Sequence, residues 1–354
     1  MKNWIYILVI GLMGSLVSSC QQSLDEEVQA PQQKDGKAAI SLRLVLDGMS
    51  AGSRATWEEN ESGNTGQLGS YLENEIDLSH QDNLRVFIYT AGGELLGEVG
   101  DKLLLRLDQQ NGRVYTLDGT LKIEEENLVN GAANYKVMVY ANCGNNLSTF
   151  EYSEESNYIP MWGVKTVQMN LTQEETIRLG DIYLLRALAK VEVKLDQEIA
   201  EEFNIDMVTV NKYNQYGHVL PVGAASATAT EAMEQDLVFH PNTTSLGTDL
   251  GFIRLSDNAF YIYLPEYQNV DNPSPATISV VINGNPYTID FKNYVNGSAT
   301  GDAYNIVRNH YYQYTITSVK TDIEVNLGLS YQVVPWSYGE NADEEVDVNV
   351  PSFN

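Results

Sequence analysis

The sequence predicts an all-β protein, two β-sandwich domains in tandem. Strand-like segments recur at short intervals along 354 residues, with Gly, Asn and Pro turns between them and few helical patterns. They fall into two series of about seven strands each, as two sandwiches require. Tyrosine, at 22 residues against 8 phenylalanines, suits strands whose ring tips reach water or a backbone partner.

The chain begins with an address. Lys2 is a short basic region, and Trp4 to Val17 is an apolar stretch too short for a spanning helix. It ends in Leu16-Val17-Ser18-Ser19-Cys20, small residues before a cysteine. This looks like a bacterial lipobox, with residues 1–19 as signal peptide and Cys20 as the lipidated first residue. A plain secretory signal is the alternative. Residues 20–37, with Asp25-Glu26-Glu27 and little apolar content, read as a flexible tether. If Cys20 carries the lipid, only Cys143 remains, and one cysteine makes no intrachain disulfide. Cys143 is expected as a small buried filler rather than a nucleophile.

The first strand is expected over 38–47. Ile40, Leu42, Leu44 and Leu46 fall on one face, with Ser41, Arg43 and Val45 on the other. It stops at Asp47-Gly48, and Met49 to Thr56 is small and polar, the composition proteases find accessible. Arg54, followed by Ala55, is the only basic residue between Arg43 and Arg85. An apolar strand held through a cleavable loop is detachable and would leave an apolar groove. An ordinary first strand followed by a long surface loop is the other reading.

Leu84–Tyr89, a Gly92-Gly93 turn and Glu94–Val99 predict a hairpin. Val114–Leu117, Tyr135–Ala141, Thr166–Leu171 and Thr176–Leu185 complete the first series. The second comprises Ala189–Leu195, Val208–Tyr213, Ala259–Leu264, Thr277–Asn283, Tyr287–Phe291, Tyr311–Val319 and Asp322–Leu329. Gln197–Asn204 and Ala229–Leu237 are candidate short helices. The junction is expected near Leu184–Ala187, dividing the chain into 38–185 and 186–354. At the far end 345–350 alternates again, with Val346, Val348 and Val350 on one face before Pro351. Such a strand pairs either within its own domain or with a neighbouring molecule.

Composition narrows the function. Lys and Arg number 21 against 48 Asp and Glu, a net charge of −27, so phosphate backbones repel the chain and nucleic acid is excluded as a partner. His80, His218, His240 and His310 show no metal-ligand spacing, and no H-E-x-x-H, C-x-x-C, Walker loop or G-x-S-x-G occurs. Gly63 to Gly69 is glycine-rich but follows no strand and opens no helix. Acidic runs such as Glu124-Glu125-Glu126 read as solvated loops. No enzymatic role, cofactor or metal is expected.

Several short motifs carry a family resemblance. Ile159-Pro160-Met161-Trp162-Gly163 and Leu184 to Val193 resemble the mid-chain signature of Bacteroidales fimbrillins, the type V pilus subunits. Arg308-Asn309-His310-Tyr311-Tyr312-Gln313-Tyr314 and Val333-Val334-Pro335-Trp336 resemble the C-terminal half of that family. The lipobox and Ser53-Arg54-Ala55-Thr56 match its remaining features. The resemblance implies two transthyretin-like sandwiches, export as an outer-membrane lipoprotein, and trimming between Arg54 and Ala55 by an Arg-specific protease. It further implies assembly with other fimbrial subunits at the cell surface. There the groove left by Ile40, Leu42, Leu44 and Leu46 accepts a neighbour's strand carrying Val346, Val348 and Val350. A stalk or tip subunit is expected. The alternatives are an anchor subunit that keeps its lipid, or a surface glycan-binding lipoprotein that presents tyrosine rings to sugars.

Overall fold

The computed structural model of the protein describes residues 36–47, 76–109, 112–124, 131–153, 158–172, 175–220, 239–295, 298–320 and 326–335. Cys20, Arg54, Ala55, Val346, Val348, Val350 and the candidate helix Ala229–Leu237 lie outside them.

Eight strands form one continuous hydrogen-bonded order in the first half. They are β1 (Lys37–Asp47), β2 (Leu84–Thr90), β3 (Leu95–Gln109), β4 (Gly112–Lys122), β5 (Ala133–Ala141), β7 (Met161–Met169), β8 (Ile177–Tyr183) and β9 (Leu185–Arg186), with the short β6 (Thr149–Glu151) standing outside. The order is β8-β1-β4-β3-β2-β5-β7-β9. Strand β3 serves two partners, pairing with β2 over Leu95–Glu98 and with β4 from Val99 onward. The sheet therefore folds over on itself, and its two layers enclose a core drawn from residues 38–184. Alternation explains which side faces in. Tyr135, Val137 and Val139 of β5 enter that core, while Met138 and Tyr140 join a second cluster on the outer face.

The second half supplies β10 (Ala189–Leu195), β11 (Ile205–Asn214), β12 (Tyr216–His218), β13 (Leu246–Gly251), β14 (Ile253–Ser256), β15 (Ala259–Leu264), β16 (Thr277–Ile282), β17 (Asn285–Asp290), β18 (Lys292–Val295), β19 (Ser298–Ala303), β20 (His310–Lys320) and β21 (Asn326–Pro335). Two sheets, β14-β15-β10-β20-β21 and β13-β11-β16-β17, enclose a core whose buried residues come from 189–316. The protein is thus all-β and sandwich-built; among the described residues the only helical element is a single 3-10 turn at Gln81–Asn83.

The halves are bound to each other. Strand β6 pairs antiparallel with β12, Phe150 opposite Gly217. Val219 packs with Phe87, Tyr140, Trp162 and Leu185 on the outer face of the first sheet. Ile159 and Leu188 pack with Tyr261, Tyr263 and Tyr311 on the outer face of the second. Strand β10 is consequently buried on both faces, with Val191 and Val193 toward the core and Lys190 and Glu192 beneath the inter-half cluster.

One expectation fails. Gln197–Asn204 is not a helix but a run of turns, with Ile199 and Ala200 N–H groups both donating to the Asp196 carbonyl. Ile205 is already committed to pairing with Ile282 in β16, so the segment is too short to propagate a helix. Strand β21 is described only from Asn326, so the expected start at Asp322 lies outside the described residues.

Candidate functional site

The first strand lies inside the first sheet, between β4 and β8. Strand β1 runs antiparallel to β4 along its whole length, from Lys37 opposite Lys122 to Asp47 opposite Gly112. On its other side it runs parallel to β8, from Ile40 opposite Ile177 to Val45 opposite Tyr183. Ile40, Leu42, Leu44 and Leu46 are all buried to within 2% and enter the first core, as their alternation predicts. Both edges of the strand and its apolar face are satisfied by neighbours from elsewhere in the chain.

Local details fit the strand to its seat. Gly119, opposite Ile40, admits no side chain, because a Cβ there would lie 2.5 Å from Val99 Cγ1 and 2.9 Å from the Gly100 carbonyl. At the entrance Gly36 takes φ +65, and its carbonyl accepts a 2.7 Å hydrogen bond from the Ile123 N–H. At the exit the Leu184 N–H donates to the Val45 carbonyl at 3.1 Å. On the outer face Arg43 reaches Asp181 at 3.4 Å, but both side chains are more than a third exposed, so the pair adds little. Beyond β1 in sequence, the Ile76 N–H donates to the Tyr115 hydroxyl on β4 at 3.3 Å. Asp47 and Ile76 therefore both meet β4.

A polar cluster sits where the halves join. Glu266, 3% exposed as a side chain, accepts from Arg308 Nη2 at 2.9 Å, and Arg308 Nη1 donates to the Val219 carbonyl at 2.9 Å. The His240 N–H donates to the same carboxylate at 3.3 Å. His218 of β12 stacks on His240 with ring centroids 4.5 Å apart. Their separation in sequence gave no sign of this. His310 holds the Arg308 carbonyl at 2.8 Å through Nδ1. Among the described residues no three His, Cys, Asp or Glu side chains gather as a metal ion would need.

Burial, and for His218 also the charges of His240 and Arg308, holds the His218 and His310 imidazoles below their ordinary value of 6.5. Glu266 opposes both shifts. A histidine with a depressed folded pKa favours the fold while neutral. Its contribution is complete above about pH 6.5 and is lost as pH falls through the folded value. Thermal unfolding followed from pH 7.5 to 5 should show a falling midpoint, and His218→Gln should flatten that dependence. An unchanged slope in the variant would remove His218 from the account.

The remaining single-residue expectations are placed as follows. Cys143 lies beside β5, its Sγ donating to the Ala141 carbonyl at 3.1 Å, and burial pushes its thiol up to about 12. A thiol so poorly ionised is a poor nucleophile. His80 is exposed and apart from the other histidines. No tyrosine among the described side chains is exposed; ten are buried and the rest half-buried. The rings are therefore structural, with Tyr261, Tyr263 and Tyr311 around the Lys190 ammonium at 5.4 to 5.9 Å.

Neither family models nor curated proteins match this sequence. Solved structures do. The tip fimbrial protein Mfa3 from Porphyromonas gingivalis, solved with a C-terminal truncation, superposes with a TM-score of 0.51 at 13% identity, over 84% of this chain and all of that one. A fimbrial assembly protein from Parabacteroides distasonis covers 84% of this chain and 99% of its own at 14% identity, with a TM-score of 0.46. Over 84% of this chain, the fold is similar to that of the fimbrial tip protein.

Proposed function

We propose that this chain is a structural subunit of a surface fimbria, stalk or tip, polymerised by strand exchange. In this reading it is exported as a lipoprotein through Cys20 and trimmed between Arg54 and Ala55 by an Arg-specific protease. Its two transthyretin-like domains divide at 185/186. The observation that carries the proposal is the seat of β1. A strand paired on both sides, with its apolar face in the core, is followed directly by the stretch that holds Arg54. Removing it opens one slot between β4 and β8, lined by the partners of Ile40, Leu42, Leu44 and Leu46. A neighbour's strand with Val346, Val348 and Val350 on one face has the matching alternation. The tip protein's shared fold and the motifs around Trp162, Arg308 and Pro335 support the same reading. The buried or half-buried tyrosines weigh against a sugar platform.

Mass spectrometry of surface-sheared protein tests the proposal. The first residue on assembled material should be Ala55, and Arg54→Ala should block assembly with β1 still in place. Arg43 should stay uncut, since β4 and β8 hold it in the sheet and proteases require local unfolding. An acylated Cys20 on protein at the base of fibres would make this the anchor subunit. Retained Cys20 with no fibres at all would overturn the pilus reading and leave a glycan-binding lipoprotein.

A further inference from the structure

Residues 215–220 are a tongue shared between the halves. On one side they belong to the first half. The Tyr152 N–H donates to the Gln215 carbonyl at 2.7 Å, the Val219 N–H donates to the Ser148 carbonyl at 3.0 Å, and Gly217 leaves room for the Phe150 ring. Val219 and Leu220 pack on the outer cluster of the first sheet. On the other side three contacts tie the tongue to the second half. The Gln215 N–H donates to the Ser245 carbonyl at 3.0 Å, Arg308 Nη1 holds the Val219 carbonyl, and the His218 ring stacks on His240. The halves meet again around Ile159, Leu188, Tyr261, Tyr263 and Tyr311, where the Asn309 N–H donates to the Leu188 carbonyl at 2.9 Å. That second contact holds no histidine.

We propose that the first of these contacts is an acid-sensitive joint. It opens between the tongue and the His240 side as the stacked imidazoles take up protons, while the second contact acts as the pivot. Charge decides where it opens. With both rings neutral, the cluster holds one guanidinium and one carboxylate, already paired. Protonation sets two cations face to face, ring centroids 4.5 Å apart, beside Arg308. Among the described residues Glu266 is the carboxylate that acts on His218, and it is already engaged by Arg308 Nη2 and the His240 N–H. On β6, Thr149 lies opposite His218, and the exposed Glu151 lies opposite Tyr216. His310 stands behind Arg308, with Nδ1 on that residue's carbonyl. The repulsion therefore falls between the tongue and the second half, whereas the bonds to β6 and its flanks are uncharged peptide pairs. Burial and the charges of His240 and Arg308 already hold the His218 imidazole low. The closed joint is thus fully favoured above about pH 6.5 and weakens as pH falls through the folded value. Built into a fibre as proposed above, each subunit becomes a bending point in acid; the free chain shows the opening with or without a fibre.

Amide hydrogen exchange resolved to single residues, at about pH 7.5 and 5.5 and corrected for the intrinsic pH dependence of exchange, reads the joint directly. Acid should cost the Gln215 and His240 N–H groups several-fold in protection. Tyr152 and Val219, whose bonds join the tongue to the first half, and Asn309 at the pivot should keep theirs. His218→Gln should abolish the acid effect, and His218→Lys, a cation at both pH values, should open the joint at neutral pH. His310→Gln should leave the acid effect in place. Protection at Gln215 and His240 that does not change with pH would overturn the proposal. So would a loss that spreads equally to Tyr152, Val219 and Asn309, or an acid effect that survives His218→Gln.

Discussion

Arg308→Ala is expected to destabilise the protein by about 3–5 kcal/mol, the scale for removing one partner of a buried ion pair. Arg308 and Glu266 are 2% and 3% exposed, and truncation leaves the carboxylate with no counter-charge and the Val219 carbonyl without its donor. The loss should exceed that of Arg43→Ala, whose half-exposed pair with Asp181 is worth well under about 1 kcal/mol. Urea unfolding midpoints measure both. A paired replacement of Arg308 and Glu266 by apolar residues of similar volume should recover much of the loss, because the cost lies mostly in the orphaned charge. If Arg308→Ala shifts the midpoint no more than Arg43→Ala, the cluster is not the clamp its geometry indicates. Because Arg308 grips Val219, which packs on the first sheet, the damage should reach both halves. Trp162, in the same outer cluster, reports it by fluorescence.

How much of this was legible in the sequence depended on whether a strand faces water. Strand β1 was readable because one face is buried and the other is not, which leaves a period of two. Strand β15, Ala-Phe-Tyr-Ile-Tyr-Leu, is buried at every position and was recognised by composition instead. The extension of β3 through Leu103-Leu104-Leu105 was missed. Three leucines in a row show no alternation, and the bulge at Asp101 shifts the phase of the pattern. Strand β13, Leu-Gly-Thr-Asp-Leu-Gly, has almost no strand propensity and exists through pairing with β11. The polar cluster was invisible for another reason. Glu266, Arg308, His218 and His240 come from four separate segments of the second half, and only the folded chain brings them together. Arg308 stood inside a recognised motif, but nothing in the motif showed that it binds a buried carboxylate. In the candidate site, the four apolar residues of β1 were legible; the parallel partner β8 and the close approach at Gly119 were not.

The largest effect is expected from taking β1 away. Deleting Lys37–Asp47 removes four large apolar side chains from the first core, at roughly 1.5–3 kcal/mol each, or on the order of 6–12 kcal/mol together. That is comparable with the whole stability of a typical domain, about 5–15 kcal/mol. The backbone groups of β4 and β8 that faced β1 lose their partners as well. The first half should therefore lose cooperative unfolding, while the second half, whose buried core residues all lie in 189–316, keeps a transition of its own. A peptide of Lys37–Asp47 added in trans should restore the lost transition in proportion to its concentration, as binding to the folded state alone requires. The informative comparison is a second peptide, Ala342–Asn354, which carries Val346, Val348 and Val350. Strand exchange predicts that it also restores the transition, and that Val348→Asp within it abolishes the effect. If only the native β1 peptide works, the slot between β4 and β8 belongs to β1 alone and the tail is not its replacement. If the first half of the deleted chain still unfolds cooperatively without either peptide, β1 is dispensable and the strand-exchange reading fails.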